Sequence, residues 1–186
     1  MQIGAKLNWS WPNRHPSGHL LMKRLDIAGK DSSPMKVFID TDIFVRNLRY
    51  RDDKNIIEND RFLDLVKEKR LIDFTSIYNL LELCGILSFN LSSESLLHLY
   101  GGFKKRFQLK QILFGTYYDE NLIIDINTVF ALLLKKMSFG DALIAGCVEF
   151  HGDLIEGFVS WNVKHYEGKL NVDVYTPTAL LKSLDT

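Results

Sequence analysis

Three carboxylates and one amide stand out in this sequence because of the segments that carry them. Asp40 directly follows a short apolar run, Glu82 lies inside a largely apolar segment, and Asp141 lies in the first turn of a predicted helix. Asn162 comes just after a further apolar run. Carboxylates gathered in one crevice repel one another, which raises some of their pKa values unless a cation neutralises the charge. Such oxygen ligands suit the hard divalent ions Mg²⁺ and Mn²⁺.

The chemistry that such a site would support is metal-assisted hydrolysis of a phosphodiester. Mg²⁺ typically keeps several waters while it binds a substrate phosphate. One bound ion lowers the pKa of a water ligand, and a second ion, where present about 3.5 to 4 Å from the first, holds the leaving oxygen. The four residues therefore indicate a hydrolase, provided that the fold brings them together.

A buried strand must deliver Asp40 to such a site. The apolar, largely β-branched residues 37–39 predict a short strand that is buried on both faces, as in a parallel sheet. In an open α/β sheet the ligand crevice lies at the carboxyl ends of the strands, so Asp40 and Asp42 would both reach it. Asp42 has an alternative role as the cap of the following helix.

Each of the other three residues also has a structural alternative. Glu82 lies in the middle of a predicted helix that Thr75 or Ser76 caps and that extends to about residue 89. A buried carboxylate there is costly unless it binds a cation or pairs with a basic side chain. Asp141 has the S-x-x-D spacing of a capping box with Ser138, and Asn162 is a candidate for an Asx-turn. The joint pattern favours a metal site over separate structural roles.

The remaining segments predict an α/β fold in which strands and helices alternate. Further strands are expected at residues 71–74, 122–126, 155–160 and 172–175, and helices at residues 43–48, 58–70, 92–107, 128–136, 138–150 and from 177 onward. This alternation predicts a parallel, right-handed α/β sandwich. Residues 1–34 show no sustained period and are expected to form an irregular or disordered arm before a domain at 35–186.

Composition and charge limit the classes of function. The 186 residues suit one main domain, and 46% of them are hydrophobic. Residues 1–34 hold five Lys/Arg and two Asp/Glu, which leaves 18 against 21 and a net charge of −3 for residues 35–186. That charge does not indicate a broad nucleic-acid binder, so cations would have to assist any binding of nucleic acid. The basic group Lys104, Lys105 and Arg106 is the candidate contact with a phosphate backbone.

Two absences from the sequence bear on the compartment. It contains no apolar run of the roughly 18 residues typical of a membrane span, and no signal-peptide core, which predicts a cytoplasmic protein without a membrane partner. Cys84 and Cys147 each lie among apolar residues at helical spacing. Both are expected to be buried, reduced thiols.

Taken in order, the motifs of residues 35–186 resemble those of the PIN-domain ribonucleases. The matching segments are V-F-I-D-T-D-I-F, S-I-Y-N-L-L-E-L, F-G-D-A-L-I-A-G, F-V-S-W-N-V-K-H-Y-E-G and V-Y-T-P. Within that group they are most similar to the toxin half of the VapBC toxin–antitoxin pairs of prokaryotes. The resemblance implies a three-layer α/β/α sandwich with a central, mostly parallel sheet.

The resemblance also implies an activity and its residues. It implies an endoribonuclease dependent on Mg²⁺ or Mn²⁺, with Asp40, Glu82 and Asp141 as the first three acids and the metal ligands. Asn162 stands where many members have a fourth Asp, so this chain has one negative charge fewer there. Asp42 falls where the family often has Asn, Ser160 matches a small hydroxyl residue, and His165 is a candidate phosphate contact.

Partners and rival functions complete the expectations. The resemblance implies an antitoxin that covers a groove and places a basic side chain in the acidic site, and it implies a homodimer. One alternative is a non-catalytic RNA-binding or interaction module whose metal site has decayed, which the neutral Asn162 and the net acidity favour. Another is a phosphatase of the haloacid dehalogenase type, because D-T-D-I-F approximates its opening motif. In that motif Phe44 replaces a small residue, and no paired-Asp motif follows a later strand.

Overall fold

A parallel sheet forms the centre of the computed structural model, which describes residues 33–113 and 125–184. Within these ranges the strands are β1 (Lys36–Ile39), β2 (Ile72–Ser76), β3 (Gln111–Leu113), β4 (Gly157–Val159) and β5 (Asp173–Tyr175). Their order across the sheet is β3-β2-β1-β4-β5, and each neighbouring pair is parallel. The prediction of a central, mostly parallel sheet is confirmed.

The central position of β1 explains why its residues are apolar on both faces. It pairs with β2 along one edge and with β4 along the other, so its backbone is hydrogen-bonded on both sides. Val37 and Ile39 face one apolar cluster and Phe38 faces another, because successive side chains of a strand alternate. All three are 0% exposed. The residue after β1 is therefore held in the middle of the sheet edge.

Helices cover both faces of the sheet and make three layers. The described helices are α1 (Thr41–Arg49), α2 (Ile56–Lys67), α3 (Ile77–Ser88), α4 (Ser93–Phe107), α5 (Ile126–Leu134), α6 (Phe139–Phe150), α7 (Val163–Tyr166) and α8 (Pro177–Leu184). Side chains of α1 to α4 and α8 pack with Val37 and Ile39, whereas those of α5, α6 and the end of α7 pack with Phe38. The predicted α/β/α sandwich is confirmed.

The structure departs from the predicted elements at a few segments. Strand β3 and the four-residue helix α7 were not predicted, since each is too short to show a period. The strand predicted at 122–126 is wrong at its end, because Asp125 caps α5 and Ile126 begins that helix. Residues 122–124 lie outside the described part of the chain. So do residues 1–32 of the predicted arm, while residues 33 and 34 belong to no strand or helix.

Two smaller expectations can be compared with the structure. Cys84 and Cys147 are buried and free, as predicted. Across the described ranges, every helix is too short or too polar to traverse a lipid bilayer.

Candidate active site

Asp40 lies at the carboxyl end of β1 and begins the next helix. Its backbone N–H donates to the Val159 carbonyl at 3.0 Å, which continues the sheet by one residue. Its Oδ1 accepts from the Thr41 N–H at 2.8 Å and so caps α1. The capping role considered for Asp42 therefore belongs to Asp40. Asp40 is 4% exposed, so its carboxylate lies almost wholly out of water.

Asp42 shapes the segment that follows β4. Its Oδ2 accepts hydrogen bonds from the Ser160 hydroxyl at 3.0 Å, the Trp161 N–H at 2.9 Å and the Asn162 N–H at 3.1 Å. Its Oδ1 is buried and has no hydrogen-bond partner among the described residues. Asp42 thus fixes α1 to residues 160–162, which is a positioning role.

Glu82 reaches the same region from α3. Ser76 and Asn79 form a capping box at the start of α3, and Asn79 Nδ2 donates to Thr41 Oγ1 at 3.0 Å. Thr41 also lies near Glu82 and lowers the pKa of that carboxyl, although burial raises it overall. A Cβ atom built on Gly140 would lie 3.3 Å from Glu82 Oε1, so this carboxylate lies against the first turn of α6. The ion pairs of the described residues do not include Glu82.

Asp141 has both a structural and a cluster-facing oxygen. Its N–H donates to Ser138 Oγ at 3.2 Å and its Oδ2 accepts from the same hydroxyl at 2.8 Å, so the capping interaction predicted as an alternative is present. Its Oδ1 lies 3.1 Å from the hydroxyl of Tyr166, which lies 3.4 Å from Asp40 Oδ1. One tyrosine hydroxyl therefore lies between the carboxylates of Asp40 and Asp141.

Asn162 and His165 lie on the exposed side of this cluster. Asn162 Nδ2 is 2.9 Å from His165 Nδ1, and that nitrogen is 3.5 Å from Asp141 Oδ2. Ser160 is fully buried beneath them, and its hydroxyl accepts from the Asn162 N–H at 2.9 Å. The side chains of Asn162 and His165 are thus placed where a ligand could approach from solvent.

Burial and mutual repulsion raise the pKa values of these carboxyl groups. Burial raises the pKa of Asp40 well above its usual value, and the nearby charges of Asp42 and Glu82 raise it further. Burial also raises the pKa of Asp42 to about 6, although its hydrogen bonds oppose the change. The pKa of Glu82 is raised by burial and by the charge of Asp141. The four acidic residues therefore lie within electrostatic reach of one another.

Tyr166 was missed by the sequence reasoning. It is 1% exposed, and burial together with Asp40 and Asp141 raises its pKa, so it remains a neutral phenol. No local signal identifies it, because α7 has four residues and Tyr166 is 126 positions from Asp40. Thr41 and Asn79 were also missed, because the hydrogen bond that joins them spans 38 positions of the chain.

The donor set suits a hard divalent cation in type and charge. It offers carboxylate oxygens on three elements, with raised pKa values at Asp40 and Glu82 that a cation would lower. Within the described part of the chain, no three His, Cys, Asp or Glu side chains already form a metal-binding group. The Tyr166 hydroxyl lies between two of the carboxylates.

The basic group of α4 lies elsewhere. Lys104, Lys105 and Arg106 are in the last turn of α4, which leads into β3, and β3 begins beside Phe74. The Lys110 N–H donates to Asp73 Oδ2 at 2.7 Å in this connection. The connection between α4 and β3 therefore lies near the amino ends of the strands, whereas the acidic residues follow the carboxyl ends of the strands. The structure does not bring the basic group to the acidic cluster.

We expect the stability of the metal-free protein to fall as the pH rises from about 4 to 7.5. A carboxyl whose pKa is raised by folding stabilises the fold fully at pH values below its pKa in the unfolded chain. This contribution is lost as the pH rises past its pKa in the folded protein, which is about 6 for Asp42. A shift of this size corresponds to about 3 kcal/mol. Thermal unfolding with chelator at both pH values measures the effect, and a melting temperature that rises over this range would contradict it.

Comparison with known proteins gives structural neighbours but no sequence relatives. No protein-family model matches the chain, and no curated protein matches it. VapBC2 from Rickettsia felis, bound to a DNA fragment from its promoter, contains a chain that is 20% identical, with a TM-score of 0.55 over 76% of this chain and 98% of that one. DNA-bound VapBC from Salmonella typhimurium has 23% identity and a TM-score of 0.51 over 77% and 98%.

A third neighbour gives the same result. VapBC-1 from nontypeable Haemophilus influenzae has 18% identity and a TM-score of 0.50, over 77% of this chain and 99% of that chain. At these identities the likeness establishes the fold. The expected resemblance to VapBC proteins is confirmed at that level.

Proposed function

We propose that this protein is a metal-dependent endoribonuclease of the PIN type and the toxin of a type II toxin–antitoxin pair. It would hydrolyse RNA phosphodiester bonds with Mg²⁺ or Mn²⁺ held by Asp40, Glu82 and Asp141. The observation that carries the proposal is the approach of Asp40 and Asp141, from β1 and α6, to one buried hydroxyl, with Glu82 against the same turn of α6. The fold shared with VapBC structures supports it.

Each residue of the cluster has a role in this proposal. The bound ion supplies an activated water and a contact to the substrate phosphate. Asp42 holds residues 160–162 in place, and Ser160 supports the Asn162 backbone from below. Asn162 and His165, on the exposed side, would orient the phosphate. Because Asn162 is neutral, the cluster has less negative charge with which to hold a second ion.

The neighbouring structures support a protein partner. They are VapBC structures, two of them bound to DNA, and we propose that this chain likewise pairs with an antitoxin in the cytoplasm.

A homodimer is also proposed. An apolar groove of α5 and α6 supports it, because Ile126 is 76% exposed, Phe130 51% and Phe139 64%. An RNA bound at the acidic cluster would have to extend beyond that cluster to reach Lys104, Lys105 and Arg106.

Removal of the metal tests the activity. The purified full-length protein is expected to cleave structured and single-stranded RNA with Mg²⁺ or Mn²⁺, and to lose cleavage in chelator because no activated water remains. Cleavage that persists in chelator would contradict the proposal. RNA binding without cleavage in the presence of either metal ion would favour the non-catalytic module. The neutral Asn162 is the residue that favours this alternative. Hydrolysis of a phosphate monoester instead would favour the phosphatase.

A further inference from the structure

Tyr166 occupies a place in the acidic cluster to which the proposed function gives no role. It ends α7, and its ring packs against Phe158 of β4, with ring centroids 4.4 Å apart. The residue is 1% exposed, so the core rather than solvent sets the position of the ring. The hydroxyl at the end of that ring is therefore held at a defined point in the cluster.

That point lies between two carboxylates. Tyr166 Oη is 3.1 Å from Asp141 Oδ1 and 3.4 Å from Asp40 Oδ1. A phenol has a single proton and donates it to one acceptor at a time. Both distances exceed the roughly 2.7 to 2.8 Å that is usual for an O–H···O bond, which fits a proton shared between two acceptors. The hydroxyl is thus the positive end of a dipole that faces both carboxylates.

A divalent cation needs the negative charge that this hydroxyl already faces. Asp40 Oδ1 also caps α1 through the Thr41 N–H, and Asp141 Oδ2 is hydrogen-bonded to Ser138. A cation bound at Asp40 Oδ1 or Asp141 Oδ1 would therefore share that oxygen with the Tyr166 hydroxyl. The proton of the hydroxyl and a cation repel each other when both approach the same oxygens.

We propose that Tyr166 is a positioning residue that competes with the divalent cation for Asp40 and Asp141. Without an ion, its hydroxyl braces the two carboxylates against their repulsion. With an ion, that brace is weakened, so the hydroxyl lowers the affinity of the site for metal. This inference rests on the metal site of the proposed function.

The test compares Tyr166→Phe with wild type by calorimetric titration of the full-length protein with Mn²⁺. We expect the variant to bind Mn²⁺ more tightly, with a Kd lower by about tenfold, the scale on which neighbours of metal ligands change affinity. Its melting temperature in chelator is expected to fall because the brace is lost. A residue that merely supported the fold would leave the Kd unchanged or raise it.

Tyr175→Phe is the matched control. The Tyr175 hydroxyl donates to Asp173 Oδ2 at 3.3 Å, so this variant also removes a tyrosine-to-aspartate hydrogen bond, but outside the cluster. Its Mn²⁺ Kd is expected to equal that of wild type. In an Asp141→Asn background, where one acceptor is neutral, Tyr166→Phe is expected to change the Kd less, as a double-mutant cycle reveals.

The outcomes separate this inference from the proposed function. If wild type binds no Mn²⁺, the proposed metal site itself fails. If wild type binds Mn²⁺ and Tyr166→Phe binds it equally or more weakly, competition by Tyr166 is overturned while the metal site stands. Should Tyr166→Phe not fold, Mg²⁺ titration of wild type labelled with [¹³Cζ]tyrosine decides. We expect Mg²⁺ to shift a tyrosine resonance that is still present in the spectrum of Tyr175→Phe. If no such resonance shifts, the inference is overturned.

Discussion

Asp40→Asn and Asp141→Asn are each expected to reduce metal-dependent RNA cleavage by at least about a hundredfold, since even partners of metal ligands change activity by up to that factor. Each change removes one negative charge from the proposed ligand set and leaves the shape of the side chain nearly unchanged. Asparagine caps helices as well as aspartate does, so residue 40 should still cap α1. Initial rates of cleavage with Mg²⁺ and Mn²⁺ measure the effect.

The same two variants should keep their fold. Neutralising one member of a repelling cluster relieves repulsion, so their melting temperatures in chelator are expected to equal or exceed that of wild type. Asp153→Asn is the matched control, because Asp153 is exposed in the turn after α6 and should leave both cleavage and stability unchanged. Cleavage at the wild-type rate by both cluster variants would refute the assignment of Asp40 and Asp141.

Asp42→Asn is expected to stabilise the metal-free protein at pH 7.5 by about 2 kcal/mol, or about 4 to 8 °C in melting temperature. The reason is that burial raises the pKa of Asp42 to about 6, so its ionised form is disfavoured in the fold at this pH. The amide oxygen can still accept from Ser160, Trp161 and Asn162. The gain is less than the full effect of the charge, because the amide nitrogen takes a buried position without a partner among the described residues.

Asp42→Ala separates the charge from the hydrogen bonds. It removes the same charge but also the acceptor for three donors, and a buried donor left without a partner costs about 1 to 3 kcal/mol. We expect it to be less stable than Asp42→Asn by about 3 kcal/mol. The advantage of Asp42→Asn over wild type should shrink to about half at pH 5 and disappear below about pH 4, where Asp42 is protonated in both the folded and the unfolded chain. Thermal unfolding in chelator measures all three proteins, and equal stability of the Asn and Ala variants would contradict the role given to Asp42.

Much of the fold follows from local rules, and these could be read along the chain. The apolar run before Asp40 predicted β1, and the Ser138 to Asp141 spacing predicted the start of α6, because a capping bond joins residues three apart. The prediction that Glu82 lies in the middle of a buried, largely apolar helix rested on helical periodicity, and the structure leaves this carboxylate half-buried on α3. Short elements such as β3 and α7 escaped prediction, since three or four residues cannot show a period.

Local sequence patterns set which carboxylates follow strands or begin helices, because those placements depend on neighbours a few residues away. What these carboxylates contact follows from the folded arrangement of the chain. It assigned the capping bond to Asp40, turned Asp42 toward residues 118 to 120 positions away, and put Tyr166 between Asp40 and Asp141. It also placed the basic group of α4 near the opposite ends of the strands. Such contacts depend on the order of strands in the sheet, and no local spacing in the chain encodes that order.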